Sequence, residues 1–342
     1  MLKLLKNGTL LTARGLGVFR VVAKSRWRRQ RLLILCYHGL SQKDEHEWRS
    51  LFVTPAFFRR RLETLARGGF HVLPLGGAVR MLAEGGLPPK SVAITFDDGY
   101  YDFRQHAYPL LREFGFPATV YQTTYYSSYP FPVFNLVLSY LFWRASGRGQ
   151  VDGAAWGAPG MLDLSGEANR DRAVNALVEL ADRQGRTPAQ RDETAARVAA
   201  ALGVDFQEIL RLRMFQLMTG NEISEIAAGG VDVQLHTHRH RVPEDEKLFL
   251  REIRDNRQWL AARTGTQPKH FCYPSGVYRG EFLPWLRAEG IESATTCEIG
   301  LASRACNPLL LPRLLDSMSV TDVEFDGWLS GVCAALPHRR RA

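Results

Sequence analysis

The chain has 342 residues, 45% of them hydrophobic and 23% charged, which excludes wholesale disorder, a collagen-like fibre and a repeat array. Its formal net charge of +9 invites a nucleic-acid reading, but the excess is terminal. Residues 1–31 hold nine Lys or Arg and no acid, and Arg339, Arg340 and Arg341 stand at the other end; without these twelve, 32 basic residues face 35 acidic ones, a net of −3.

The basic arm, 1–31, has no clean apolar core followed by a small-residue cleavage site, so no secretory signal is expected. Residues 2–22 suit a basic amphipathic helix lying on a membrane surface, weakened by Gly8, Gly15 and Gly17. From 32 the chain alternates short apolar runs with helical stretches. Strands are expected over 32–37, 70–73, 92–96 and 118–122, and helices over 55–67, 76–84 and 102–114. Thr54 can cap the first of those helices, and Pro55 suits its first turn. This order belongs to a parallel sheet with crossover helices.

The alternation breaks near 128, where Tyr129, Pro130, Phe131 and Pro132 lead into a long helical stretch. We read 128–220 as a helical insertion, periodic over 170–184 and 190–202. Its apolar segment 131–143 falls short of the ~18 residues a spanning helix needs. Strands then resume over 231–235, 270–273, 293–297 and 309–315, with helices over 244–264, over 281–289 and from 322. The expected fold is α/β: a distorted (β/α) barrel of about seven parallel strands, with halves 32–127 and 221–335 around the insertion and a basic tail at 336–342.

Polar residues cluster where strands end. His38 follows the first strand; Asp97, Asp98 and Gly99 follow 92–96; His236, His238 and His240 follow 231–235; Tyr273 to Gly276 and Arg313 lie at later ends. In a parallel barrel these ends share one mouth. Adjacent carboxylates are costly unless something positive stands beside them, and a divalent metal is the simplest candidate. Asp98, His236 and His240 make a His₂Asp set that leaves a position open for water, and Asp97 is placed to act as base. An isolated Asp-Asp-Gly is usually a turn, and a His-rich stretch is usually surface. Their joint appearance at strand ends favours chemistry. The five cysteines form no CxxC, so neither a zinc knuckle nor a disulfide framework is indicated, and a reducing compartment is expected.

These residues match a known pattern. Thr95-Phe96-Asp97-Asp98-Gly99 resembles the first motif of the NodB-homology polysaccharide deacetylases, carbohydrate esterase family four. His236-Thr237-His238-Arg239-His240 resembles their His-Thr-x-x-His motif, Phe271 to Gly276 their third motif, and Cys36-Tyr37-His38 the opening Tyr-His strand. The resemblance implies hydrolysis of an N-acetyl group on a sugar. It implies Asp97 as base, Asp98, His236 and His240 as ligands of zinc or a similar divalent ion, and a backbone N–H of the turn at Ser275 as a help to the oxyanion. Two departures stand out. Cys272 occupies the place where an arginine often orients the base, which makes Arg313 the expected substitute. No Leu-x-His follows Leu314, so the general acid is open between His38 and His270, with Asp316 a supporting residue.

The expected substrate is an N-acetylated carbohydrate, lipid-linked, nucleotide-linked or an oligosaccharide, met in the cytoplasm at the inner membrane face. The competing readings are a non-sugar amide hydrolase and a catalytically silent glycan-binding or membrane scaffold. No nucleic-acid partner is expected, because the body is acidic and shows no recognition motif.

Overall fold

The computed structural model describes residues 2–158 and 160–335; the expected basic tail, 336–342, lies outside the described residues. Seven strands carry the architecture: β1 Leu33–Tyr37, β2 Ser91–Phe96, β3 Thr119–Gln122, β4 Asp232–Leu235, β5 His270–Cys272, β6 Ser293–Ile299 and β7 Leu311–Leu315. All their pairings are parallel. The order runs β1, β7, β6, β5, β4, β3, β2, and β2 pairs back to β1, so the sheet closes into a barrel. The short strand His71–Val72 pairs with β2 from outside the ring.

Side chains alternate across each strand, and this period of two sets the interior. Leu33, Leu35, Tyr37, Val92, Ile94 and Phe96 pack in the main core with the outer helices, including Phe57, Phe58, Leu62 and Phe103. Their neighbours Ile34 and Ala93 pack with Tyr121, Cys272 and Leu311, and with Leu75, Ala78 and Leu82 of the Leu75–Glu84 helix. Continuing that phase toward the strand ends leads from Ile34 to Cys36 and His38, and from Ala93 to Thr95 and Asp97. The same step leads from Gln234 to His236, and from Leu311 to Arg313. The lower barrel is therefore apolar and the upper barrel polar. The Pro55–Arg67 helix starts as expected: Thr54 Oγ1 accepts from the Phe57 N–H, and Pro55 fills the first turn, where its missing donor costs nothing.

The segment 128–220 is mostly helix, at Phe134–Arg144, Glu167–Arg183, Pro188–Leu202 and Phe206–Arg211. It also contains an antiparallel hairpin of Gln150–Asp152 with Met161–Asp163, which the sequence reading did not foresee. The apolar run at 131–143 finds its explanation here. Val137, Leu138, Tyr140, Leu141 and Phe142 are buried in a second core with Leu177, Val198 and Phe206. Among the described residues no helix is long and apolar enough to cross a membrane. The insertion returns at the Asp-Asp-Gly turn, where its two ends also meet. The Tyr101 N–H donates to Gln216 O at 2.9 Å, the Met218 N–H to Gly99 O at 3.0 Å and the Val133 N–H to Phe215 O at 2.9 Å.

The basic arm is not a single helix. It forms Leu2–Gly15 and Val18–Lys24, broken at Gly17, whose φ of 77° ends one helix and starts the next. Leu10 and Phe19 are buried beside Gly327 of the Asp322–Ser330 helix, where a side chain would meet Cys333, Leu10 and Phe19. Lys6 pairs with Glu324 and Arg14 with Asp326, both at 2.9 Å.

Candidate active site

Asp97 extends the inward phase of β2 by one step and is buried at the barrel mouth. Its N–H donates to Tyr37 O at 2.9 Å, tying it to β1. Arg313 of β7 meets it in a bidentate pair: Nη1 to Oδ1 and Nη2 to Oδ2, each 2.7 Å. Arg313 is itself fixed on other sides. Its Nε donates to Thr296 O at 3.0 Å, where the β6–β7 register shifts, and its Nη1 donates to Thr95 Oγ1 at 3.2 Å. Cys272 fills the space between, its Sγ 3.3 Å from Asp97 Oδ2 and 3.1 Å from Arg313 Nη2. Burial alone would raise the Asp97 pKa; the Arg313 charge and its hydrogen bonds reverse this and hold the carboxyl well below the usual range. Burial pushes the Cys36 and Cys272 thiols up, so both stay neutral beside the carboxylate.

Asp98 faces elsewhere because its backbone turns left-handed, with φ 69°, followed by Gly99 at 80°. A non-glycine in this region carries strain of ~1–3 kcal/mol, and such strain gathers at functional sites. Gly99 is required here twice over: its φ is positive, and a Cβ would collide with the Gln122 amide. The turn brings Asp98 Oδ1 to 3.2 Å from both His236 Nε2 and His240 Nε2. Oδ1 is buried and has no aligned hydrogen-bond donor. Burial would raise the Asp98 pKa, but the two imidazoles hold it well below the usual range. His236 Nδ1 sits 2.8 Å from Cys272 O. A carbonyl accepts only, so Nδ1 carries the proton and Nε2 turns its lone pair toward Asp98. An unsatisfied buried carboxylate oxygen facing two imidazole nitrogens is a donor set for a cation, and these three residues can together hold a divalent metal.

The loop after β4 is bent by Thr237 and His240, at φ 60° and 54°. Asn256, inside the Glu246–Thr264 helix, buckles it. Its Oδ1 accepts from the His236 N–H at 2.9 Å, and its Nδ2 donates to Gln122 O at 3.0 Å and Thr124 Oγ1 at 2.9 Å. Asn256 is fully buried and was invisible to the sequence reading. Only the polar residue at an inward helical position hinted at it. Replacing it with leucine strands the buried His236 N–H and Gln122 carbonyl. Chemical denaturation should show a loss of about 1–3 kcal/mol per stranded group, and a metal titration about 10–100-fold weaker binding.

The other expected residues separate clearly. His38 lies at the mouth, its Nε2 3.8 Å from Asp97 Oδ2, and burial lowers its pKa. His270, by contrast, opens β5 at the closed end of the barrel, hydrogen-bonded to Ser293 Oγ at 2.8 Å and packed on Gly76; it does not reach the mouth. His238 turns to Thr124 Oγ1 at 2.8 Å. Asp316 joins Tyr37 at 2.8 Å and Arg61 at 2.9 Å, a buried brace behind β1 that does not touch Asp97. Ser275 is exposed in the turn after β5, at φ 56°, and Cys297 is half-exposed.

A cavity of about 850 Å³ opens on this mouth. His38, Asp97, Asp98, His236, His240 and Ser275 line one end; Phe131, Phe134, Val178, Arg186 and Arg191 of the insertion line the other.

The family described as "Polysaccharide deacetylase" matches residues 84–137 and 210–294, leaving 138–209 unmatched. YxkH of Bacillus subtilis (strain 168), named for polysaccharide deacetylation, is 38% identical over 92 residues, 27% of this chain and 31% of that protein. The poly-beta-1,6-N-acetyl-D-glucosamine N-deacetylase of Escherichia coli (strain K12) is 27% identical over 100 residues, 29% of this chain. The aligned segments span only 31% and 15% of these two relatives. In fold the chain is similar to the Streptococcus pyogenes deacetylase PplD in complex with acetate, with TM-score 0.57, 18% identity, and coverage of 90% of this chain and 99% of that one. With its closed parallel barrel and its Asp-Asp-Gly and His-Thr-x-x-His turns at one mouth, the chain is similar to the polysaccharide deacetylase family over both matched segments.

Proposed function

We propose that this chain is a carbohydrate N-deacetylase that removes the acetyl group from an N-acetylhexosamine unit in surface-polysaccharide or glycolipid biosynthesis. The observation that carries the reading is one mouth holding both an Arg313-clamped Asp97 and the convergent Asp98, His236 and His240. Those last three would hold the ion, with zinc the first candidate. A divalent ion there supplies Lewis acidity, polarising the acetyl carbonyl and making a nearby water more acidic.

The protein groups do the rest. A carboxylate held as low as Asp97 is a weak base, so it takes a proton only from a water already made acidic. Arg313 fixes both oxygens and keeps the base ionised. Water adds to the carbonyl carbon and Asp97 accepts its proton. The C–N bond then breaks, acetate leaves with the water oxygen, and the amine takes a proton. A backbone N–H of the turn at Ser275 would hold the developing oxyanion. His38 is the cavity-lining imidazole outside the ion-holding set, and so the candidate proton donor to the amine. Aromatic side chains along the cavity suit sugar faces, and its length suits a substrate larger than one sugar. A lipid-linked or nucleotide-linked donor, met at the inner membrane face, completes the reading.

The test joins metal analysis of the purified protein to acetate release from N-acetylhexosamine lipids, nucleotide sugars and oligosaccharides. Bound zinc or a similar ion and acetate from one class are expected. An intact protein with no ion and no acetate from any class would overturn the reading.

A further inference from the structure

We propose that residues 11–27 form a docking surface for an anionic lipid bilayer, an inference independent of the deacetylase reading. Ten large hydrophobic side chains are exposed among the described residues, and five of them fall in these seventeen positions: Leu11, Leu16, Val18, Val21 and Trp27. Leu16 and Val21 are 78% and 72% exposed. This is a second apolar set. The arm already buries Leu10 and Phe19 against the barrel, so the docked arm leaves the other five side chains in water. Half of the exposed large hydrophobic side chains gathered in one seventeen-residue stretch make a candidate interaction surface.

Charge identifies the partner. Lys6 and Arg14 have carboxylate partners on the body. Arg20, Lys24, Arg26 and Arg29 are exposed on the same short stretch and make no ion pair among the described residues. Residues 1–31 contain no acid, so nothing on the arm itself opposes them. Apolar side chains interleaved with cations are complementary to a surface that is apolar below and anionic above. Trp27, with the Arg31 guanidinium 4.1 Å over its ring, is the residue type that favours the headgroup layer. A protein partner of matching chemistry would need an acidic rim around an apolar groove. None of residues 11–27 lines the cavity, so docking and catalysis use separate surfaces.

The test uses the full chain and co-sedimentation with vesicles of phosphatidylcholine alone or mixed with phosphatidylglycerol. The double variants Leu16→Glu/Val21→Glu and Arg20→Glu/Lys24→Glu change exposed positions, so the fold should survive, which unchanged thermal melting would verify. The wild type is expected to pellet with the mixed vesicles, to do so weakly with phosphatidylcholine, and to be released by salt. Each double variant should bind the mixed vesicles about tenfold more weakly or worse. Acetate release from a soluble oligosaccharide should not change in either variant, which keeps this proposal separable from the catalytic one. Equal binding by wild type and variants, or none to mixed vesicles, would overturn it. So would a wild-type dimer abolished by Leu16→Glu/Val21→Glu, since a second copy would then cover the face.

Discussion

Arg313→Gln should cost about 3–5 kcal/mol of stability at neutral pH and lower kcat by at least about a hundredfold. The pair is buried, and removing one partner leaves Asp97 as an uncompensated charge. The pH dependence gives the prediction its sign. In the wild type the Asp97 pKa is depressed in the folded state. Its stabilising contribution is therefore present above the ordinary carboxylate pKa and is lost as pH falls through the folded value. Without Arg313 the largest remaining influence is burial, which raises the pKa. The variant then gains stability relative to the wild type as pH falls and Asp97 becomes protonated. Urea denaturation at neutral and mildly acid pH should show the gap narrowing. The acid limb of kcat/KM should move upward in step. Arg313→Ala should likewise lower turnover strongly while metal binding survives, because Arg313 touches none of Asp98, His236 and His240. Near-normal turnover of Arg313→Ala would refute the positioning role, and an unmoved acid limb would reduce Arg313 to packing.

On the proposed function, removing a divalent ion held by Asp98, His236 and His240 with a chelator should abolish acetate release and lower the melting temperature, and the drop should grow with pH. Burial lowers the pKa of His236, but the Asp98 and Asp97 carboxylates beside it outweigh this, so the net shift is upward. A raised folded-state pKa stabilises the fold below the ordinary histidine value, and this is lost as pH rises through the folded value. In the ion-free protein a proton on His236 thus partly replaces the cation at low pH. At higher pH nothing does, and ion binding strengthens as its ligands lose protons. At free ion about a hundred times its Kd the stabilisation is about 2.7 kcal/mol. Calorimetric scans with and without chelator across the histidine range would test this. A melting difference that shrinks with pH would contradict it.

Much of this was legible because strands alternate strictly. Once Val92 to Phe96 is read as a buried strand, Asp97 must face the same way as Ala93 and Thr95. Leu311 and Arg313 follow the same rule, which is how an arginine on the last strand reaches Asp97 beside Cys272. Tertiary returns were not legible. Asn256 acts only because its helix folds back along β4, and no local pattern marks a mid-helix asparagine for that task. The hairpin at 150–163 was missed because its strands are three residues each and half-exposed, too short for alternation to register. The apolar run at 131–143 was legible as too short to span a membrane, but composition alone could not place it inside a second core. In the arm, glycine propensity weakened the helix expectation, whereas Gly17 only divides it.

The insertion's return strand is hydrogen-bonded to Gly99 and Tyr101, next to the residue that turns Asp98 outward. Its entry and exit are tied to each other through Val133 and Phe215. The returning end is thus held by the turn, and the entry is held by the returning end. Changes along the insertion's length would reshape the cavity wall that Phe131, Phe134 and Val178 form. The knot itself must persist, because it is also the splint that keeps the Asp98 carboxylate aimed at the two histidines.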